Sequence, residues 1–142
     1  LKIAVLPVPG PVAGQRTVAE ETLSRLGPGA LPPGTVLLRH RGTLLKTLEA
    51  AAGFDGLILV DGASMGKQPA AIMVFSLNDL ILPGSRPRVA FDNIDVERDV
   101  LYATKFLSLP PLRIVGLASG DDLATGAESF LGAIRQAVSE LT

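Results

Sequence analysis

The run Leu57-Ile-Leu-Val60 restricts this chain more than any other stretch. It stands between Gly56 and the pair Asp61-Gly62. A short apolar run closed by glycine on both sides reads as a strand buried on both faces. Such a strand needs cover above and below, so it belongs in a sheet sandwiched between helices. The run ends at Val60, which predicts Asp61 just past the strand's carboxyl end, where open α/β sheets gather ligands.

The rest of the chain fits one domain of that kind. It has 142 residues, 47% of them hydrophobic, and a mean hydropathy of +0.39. That is enough to bury a core and argues against disorder. A net charge of -1 gives no basis for a nucleic-acid or anionic-membrane partner. No apolar run approaches the roughly 20 residues of a membrane span. With no cysteine, disulfides, thiolate metal sites and thiol catalysis are excluded. Zero cysteines fit either redox environment, and the expected compartment is the cytoplasm. His40 is the sole histidine, so a site needing two from this chain is excluded. The chain begins at Leu1 rather than Met, which leaves room for a removed tag or leader.

In chain order, Lys2 to Val8 reads as a first strand, ended early by Pro7. Residues 9–14 are a Pro/Gly loop. A helix is predicted from Gln15 to Leu26, with Val18, Ala19, Thr22, Leu23 and Leu26 recurring on one face. Gly10 and Gly14 do not make the dinucleotide fingerprint, and the flanking prolines lack amide donors for a phosphate. A loop over 27–34 leads to a second strand, Thr35 to Arg39. Thr43 is placed to cap a helix through Ala52, buried along Leu44, Leu45, Leu48 and Ala51. After the third strand, Ala71 to Phe75 reads as a fourth. The connection before it is too short for a helical crossover, which predicts a strand antiparallel to the third. Val96 to Leu107 suits a helix, with Val96, Val100, Leu101, Thr104 and Leu107 inward. Leu112 to Ala118 is a fifth strand. Thr125-x-x-Glu128 looks like the capping box of a last helix, with a stripe of Ala127, Phe130, Leu131, Ile134, Ala137, Val138 and Leu141.

The predicted architecture is therefore a three-layer α/β/α sandwich in one domain, residues 1–142. Its five-stranded sheet is mostly parallel, with one antiparallel strand. The loops after the first three strands bring Arg16, His40 and Asp61 to one edge, the default place for a ligand. Plainer readings stand beside each. Asp61 could cap the loop after its strand, and His40 could be a loop residue or salt-bridge partner. Arg39, Arg41 and Lys67 could form a solvated basic rim rather than an anion site. Asp92, Asp95 and Glu97 suit a helix N-terminus and lack the spacing and glycine of a calcium loop. Ser64, His40 and Asp61 can be named as a triad, but no signal aims the serine at the histidine. Met65 and Met73 read as packing.

Over nearly its whole length the chain resembles the hydrogenase maturation endopeptidases, which trim the C-terminal tail of the nickel-iron hydrogenase large subunit. The resemblance runs through Val5 to Leu26, the pair Gly42-Thr43, and Ile58-Leu-Val-Asp-Gly62. It continues through Gly66-x-x-Pro69 with Ala71-Ile-Met-Val-Phe75, then Asp99-Val-Leu, Lys105-Phe106 and Ile114-Val-Gly116. It implies a phosphorylase/hydrolase-like fold and a nickel or other divalent ion held by a glutamate, an aspartate and a histidine. Asp61 falls on the aspartate, but Arg16 falls on the glutamate and Asn93 on the histidine. His40 replaces the acid before the family's Gly-Thr pair, and Pro9-Gly10-Pro11 replaces its Gly-Asn turn.

An arginine has no lone pair for a metal, and an asparagine carbonyl is a poor nickel ligand beside an imidazole. The expectation is that no cofactor is bound, or nickel if the site works after all. No residue is assigned a catalytic role. The ligand-edge candidates are Asp61, Arg16, His40, Asn93, Gly42 and Thr43, with Arg16 expected to pair with Asp61. Function is expected to be that of a non-catalytic relative binding a hydrogenase large subunit or related protein. The alternatives are an endopeptidase with a rebuilt site and a small-anion binder.

Overall fold

The computed structural model describes residues 1–9, 17–27, 29–39, 42–64, 72–81, 90–91, 96–118 and 123–142. The strands are β1 (Ile3–Pro7), β2 (Thr35–Leu37), β3 (Gly56–Ser64), β4 (Ile72–Ser76), β5 (Ala90–Phe91) and β6 (Leu112–Ala118). The helices are α1 (Val18–Ser24), α2 (Leu44–Ala50), α3 (Leu77–Ile81), α4 (Val96–Phe106) and α5 (Leu123–Leu141). The main path of the sheet is β2-β1-β3-β6-β4, and β5 pairs with β3 off that path. β2, β1, β3 and β6 run parallel to one another, while β4 runs antiparallel to β6 and β5 antiparallel to β3.

Two cores fill the two faces of the sheet. Ala4, Leu6 and Val8 of the β1 segment, with Leu57 and Leu59 of β3, pack under α2 and α4. Their sequence neighbours Ile3, Val5, Ile58 and Val60 pack under α1 and α5. This is the period-two alternation of a strand covered on both sides, and it makes the molecule the expected three-layer sandwich. Leu57, Ile58, Leu59 and Val60 have no exposed surface, each contributing about 1.5–3 kcal/mol of burial.

Several boundaries differ from the sequence expectations. The reversed strand β4 is antiparallel in direction, but its partner is β6, at the far edge. Strand order depends on which edge is still open, and a short connection fixes direction without fixing the neighbour. Helix α1 starts at Val18 rather than Gln15, because Thr17 caps it by accepting the Glu20 amide at 3.1 Å. In α4, Asp99 and Ala103 are buried while Thr104 is exposed, so its buried stripe runs Val96, Asp99, Val100, Ala103. Helix α5 begins at Leu123, which puts Thr125 inside it rather than at its cap. Helix α3 was not foreseen. It opens with the Ser76 amide donating to Asp79 Oδ2 at 2.7 Å, the reciprocal half of a capping box.

Candidate functional site

The parallel strands place the ends of β1, β2 and β3 at one edge of the sheet. The chain passes from β1 outward to β2 and then back across to β3. The β1/β3 boundary is thus where the strand order reverses, and a crevice outside the carboxyl ends forms at such a point. Asp61 sits there, but not past the end of its strand. β3 continues to Ser64 because β6 keeps pairing with it through Gly116, Leu117 and Ala118. On the other flank β1 stops: Pro7 is level with Val60, and the Val8 amide donates to the Val60 carbonyl at 2.8 Å. β5 then takes up the same flank opposite Ala63 and Ser64. Asp61 and Gly62 lie between the end of one neighbour and the start of the next. An aspartate followed by glycine looks like a strand terminator, but pairing with Gly116 and Leu117 of β6 holds the backbone extended.

Asp61 is 1% exposed. Alternation puts its side chain on the face of Leu57 and Leu59, the α2–α4 side. Its Oδ1 accepts the Gly62 amide at 2.9 Å. The first residues of α2 and α4, Leu44 and Val96, are buried in the core of that face. Both helices lead back to strands that start at the opposite edge, so their partially positive N-terminal ends lie at the Asp61 edge. That polarity favours an anionic side chain there. A second buried carboxylate belongs to the same side: Asp99, 8% exposed, in the first turn of α4. Arg98 Nε approaches its Oδ1 at 3.3 Å. The inward stripe expected from the sequence, Val96, Val100, Leu101, Thr104 and Leu107, left Asp99 out. Its spacing of three from Val96 and four from Ala103 is the signal that would have placed it inward.

Gly42 and Thr43 have structural work at this edge. Gly42 has φ +80°, a left-handed conformation that costs a side chain about 1–2 kcal/mol. Thr43 is the N-cap of α2, its Oγ1 accepting the Lys46 amide at 3.3 Å. Thr47, buried in the same helix, donates its hydroxyl to the Thr43 carbonyl at 2.9 Å. Arg16, His40 and Asn93 lie outside the described residues, and so do Arg41 and Lys67. The expected pairing of Arg16 with Asp61 falls there too.

A cleft of about 320 Å³ opens over the ends of β1 and β2, lined by Pro7, Glu20, Leu23, Leu37, Leu38 and Arg39 among others. It lies beside α1, across the sheet from the Asp61 side chain, so cleft and carboxylate are separate features. Among the described residues its lining offers the Arg39 cation and the Glu20 carboxylate around apolar walls. At the opposite edge of the sheet a groove of about 520 Å³ runs past Leu77, Leu107, Leu109 and Pro110. Among the described residues, no helix is long and apolar enough to cross a membrane.

The fold and site define an α/β sandwich with a buried carboxylate at its strand-order reversal. Comparison with known proteins adds no identity: no protein-family model, no curated protein and no solved structure matches the chain.

Proposed function

We propose that this chain is a non-catalytic relative of the hydrogenase maturation endopeptidases, binding a nickel-iron hydrogenase-type large subunit during its assembly. The observation that supports this reading is Asp61, a carboxylate buried at the reversal point of the sheet. It occupies the position of a metal ligand in the family the sequence resembles. The other two ligand positions carry Arg16 and Asn93. A guanidinium there offers no lone pair and sets a positive charge where a dication would sit. One carboxylate and a neutral amide do not make a nickel site. On this reading the retained edge binds and does not cut, no resident metal is needed, and the chain works in the cytoplasm.

The test is to mix the chain with an unprocessed large subunit that still carries its C-terminal extension. Co-elution without shortening of the extension is the expected result. Shortening would transfer the assignment to an endopeptidase with a rebuilt site, and failure to bind or cut would reject both. For the small-anion alternative, Arg39 supplies a cation at the carboxyl edge, but Glu20 lines the same cleft and works against an anionic ligand.

A further inference from the structure

We propose that the cleft outside the ends of β1 and β2 binds a free, zwitterionic α-amino acid with an aliphatic side chain. The cleft's volume of about 320 Å³ lies at the small end of ligand clefts. It opens at the carboxyl ends of parallel strands, where sheets of this kind place their ligands. Two elements wall it. Glu20, Leu23 and Ser24 of α1 line one side, and Leu37, Leu38 and Arg39 at the end of β2 line the other. The three α1 residues are spaced i, i+3, i+4 and share one helix face.

The polar groups on the two walls are of opposite character. Arg39 is exposed, and among the described residues it forms no ion pair, with Glu20 or with any other carboxylate. Cation and carboxylate face one cleft without closing on each other, which leaves a gap for a ligand carrying both signs. The Ser24 hydroxyl donates its hydrogen to the Glu21 carbonyl at 2.9 Å, so toward the cleft its oxygen can only accept. Glu20 is engaged by its own helix end, the Thr17 hydroxyl donating to its Oε1 at 3.4 Å. It adds negative charge to the α1 wall while Ser24 supplies the open acceptor.

The ligand class is read from this division. An ammonium has three donors and no acceptor, which suits the α1 wall. A carboxylate meets a guanidinium through two parallel hydrogen bonds, which suits the β2 wall. An α-amino acid carries both groups on one carbon and leaves its side chain for the apolar lining. There the buried Leu23 continues into Leu37, 44% exposed, an apolar surface that a bound aliphatic group would cover. Phosphate would meet acceptors and negative charge on the α1 wall, and a divalent cation would meet Arg39, so each is opposed by one wall.

The probe is L-leucine, titrated into the isotope-labelled full chain and followed by amide chemical shifts. Saturation is expected with a Kd of roughly 0.1–1 mM, with the amides of Ser24, Leu38 and Arg39 moving and that of Gly62 still. Leucinamide, which lacks the carboxylate, and N-acetylleucine, which lacks the ammonium, should each bind about tenfold more weakly or worse. Arg39→Gln should weaken leucine about tenfold yet leave leucinamide unchanged, a split that a merely structural effect would not produce. Ser24→Ala should weaken leucine about two- to tenfold. Both side chains are exposed, and unchanged thermal midpoints would show an intact fold. A still Gly62 amide separates this cleft from the Asp61 edge, so failure here leaves the reading of that edge standing. No saturation below about 10 mM, equal binding of leucine and its two derivatives, tighter binding of inorganic phosphate, or shifts confined to other parts of the molecule would each overturn the assignment.

Discussion

Asp61 shows how one residue can look like punctuation and act as part of the fold. Its Oδ1 holds the buried Gly62 amide, and losing that acceptor leaves a buried donor without its partner. Asp61→Ala should therefore destabilise the protein by about 1–3 kcal/mol, read from urea unfolding. Asp61→Asn keeps an oxygen in place and should cost less. An Asn variant as costly as the Ala variant would show that the charge, rather than the acceptor, is what the site needs. The metal question can also be tested at single residues. Wild-type protein should bind nickel no tighter than millimolar by calorimetry. Arg16→Glu combined with Asn93→His should raise affinity at least tenfold, while either change alone should do little, because coordination needs several donors at once. Micromolar nickel binding by the wild type, abolished by Asp61→Ala, would contradict the proposed loss of the metal site.

At the scale of elements, the helices are fixed at their ends by local chemistry. Thr17 and Thr43 cap α1 and α2, and Ser76 with Asp79 opens α3. The turn into α2 depends on Gly42 at φ +80°. Gly42→Ala should cost about 1–2 kcal/mol by thermal or chemical unfolding, and a neutral result would mean the turn relaxes to a negative φ. The cap and this glycine stand adjacent in the sequence, so the start of α2 was legible from Thr43 and the stripe Leu44, Leu48, Ala51. The start of α5 was not. Thr125-x-x-Glu128 has the letters of a capping box, but a pattern of letters does not prevent a helix from starting earlier, at Leu123.

At the scale of the whole molecule, a polar tie joins the sheet to α5. Arg113 of β6 donates to Glu140 of α5 at 3.1 Å, and Gln136 donates to the same carboxylate at 2.8 Å. The Gln136 hydrogen bond first, and the Arg113 hydrogen bond next, hold Glu140 below its ordinary value of 4.5. A carboxylate depressed in the folded state adds stability above its unfolded value, and that stability is lost as pH falls through the lower folded value. Glu140 is 39% exposed, so solvent screening limits the contribution to within about 1 kcal/mol. Glu140→Gln should be less stable than wild type at pH 7, and the gap should close as pH falls below about 4.5. A gap that stays constant into acid would mean the tie works through packing rather than charge.

The sequence by itself determined the layers. Leu57 to Val60 has two apolar faces, and a strand of that kind is stable only inside a covered sheet. The helical stripes of α1, α2 and α5 supplied the cover, and their positions follow from spacing alone. The sequence also determined that β4 is reversed, because a chain cannot cross over a sheet in so short a connection. Tertiary structure alone decided that β4 joins β6 and that β3 runs on past Asp61. It also decided that Asp99 turns inward. Each of these depends on a neighbour distant in sequence: the open edge of β6, the pairing of Gly116 to Ala118, the sheet beneath α4. A charged residue reads as solvent-facing until the surface it packs against is known, and that surface is made by other parts of the chain.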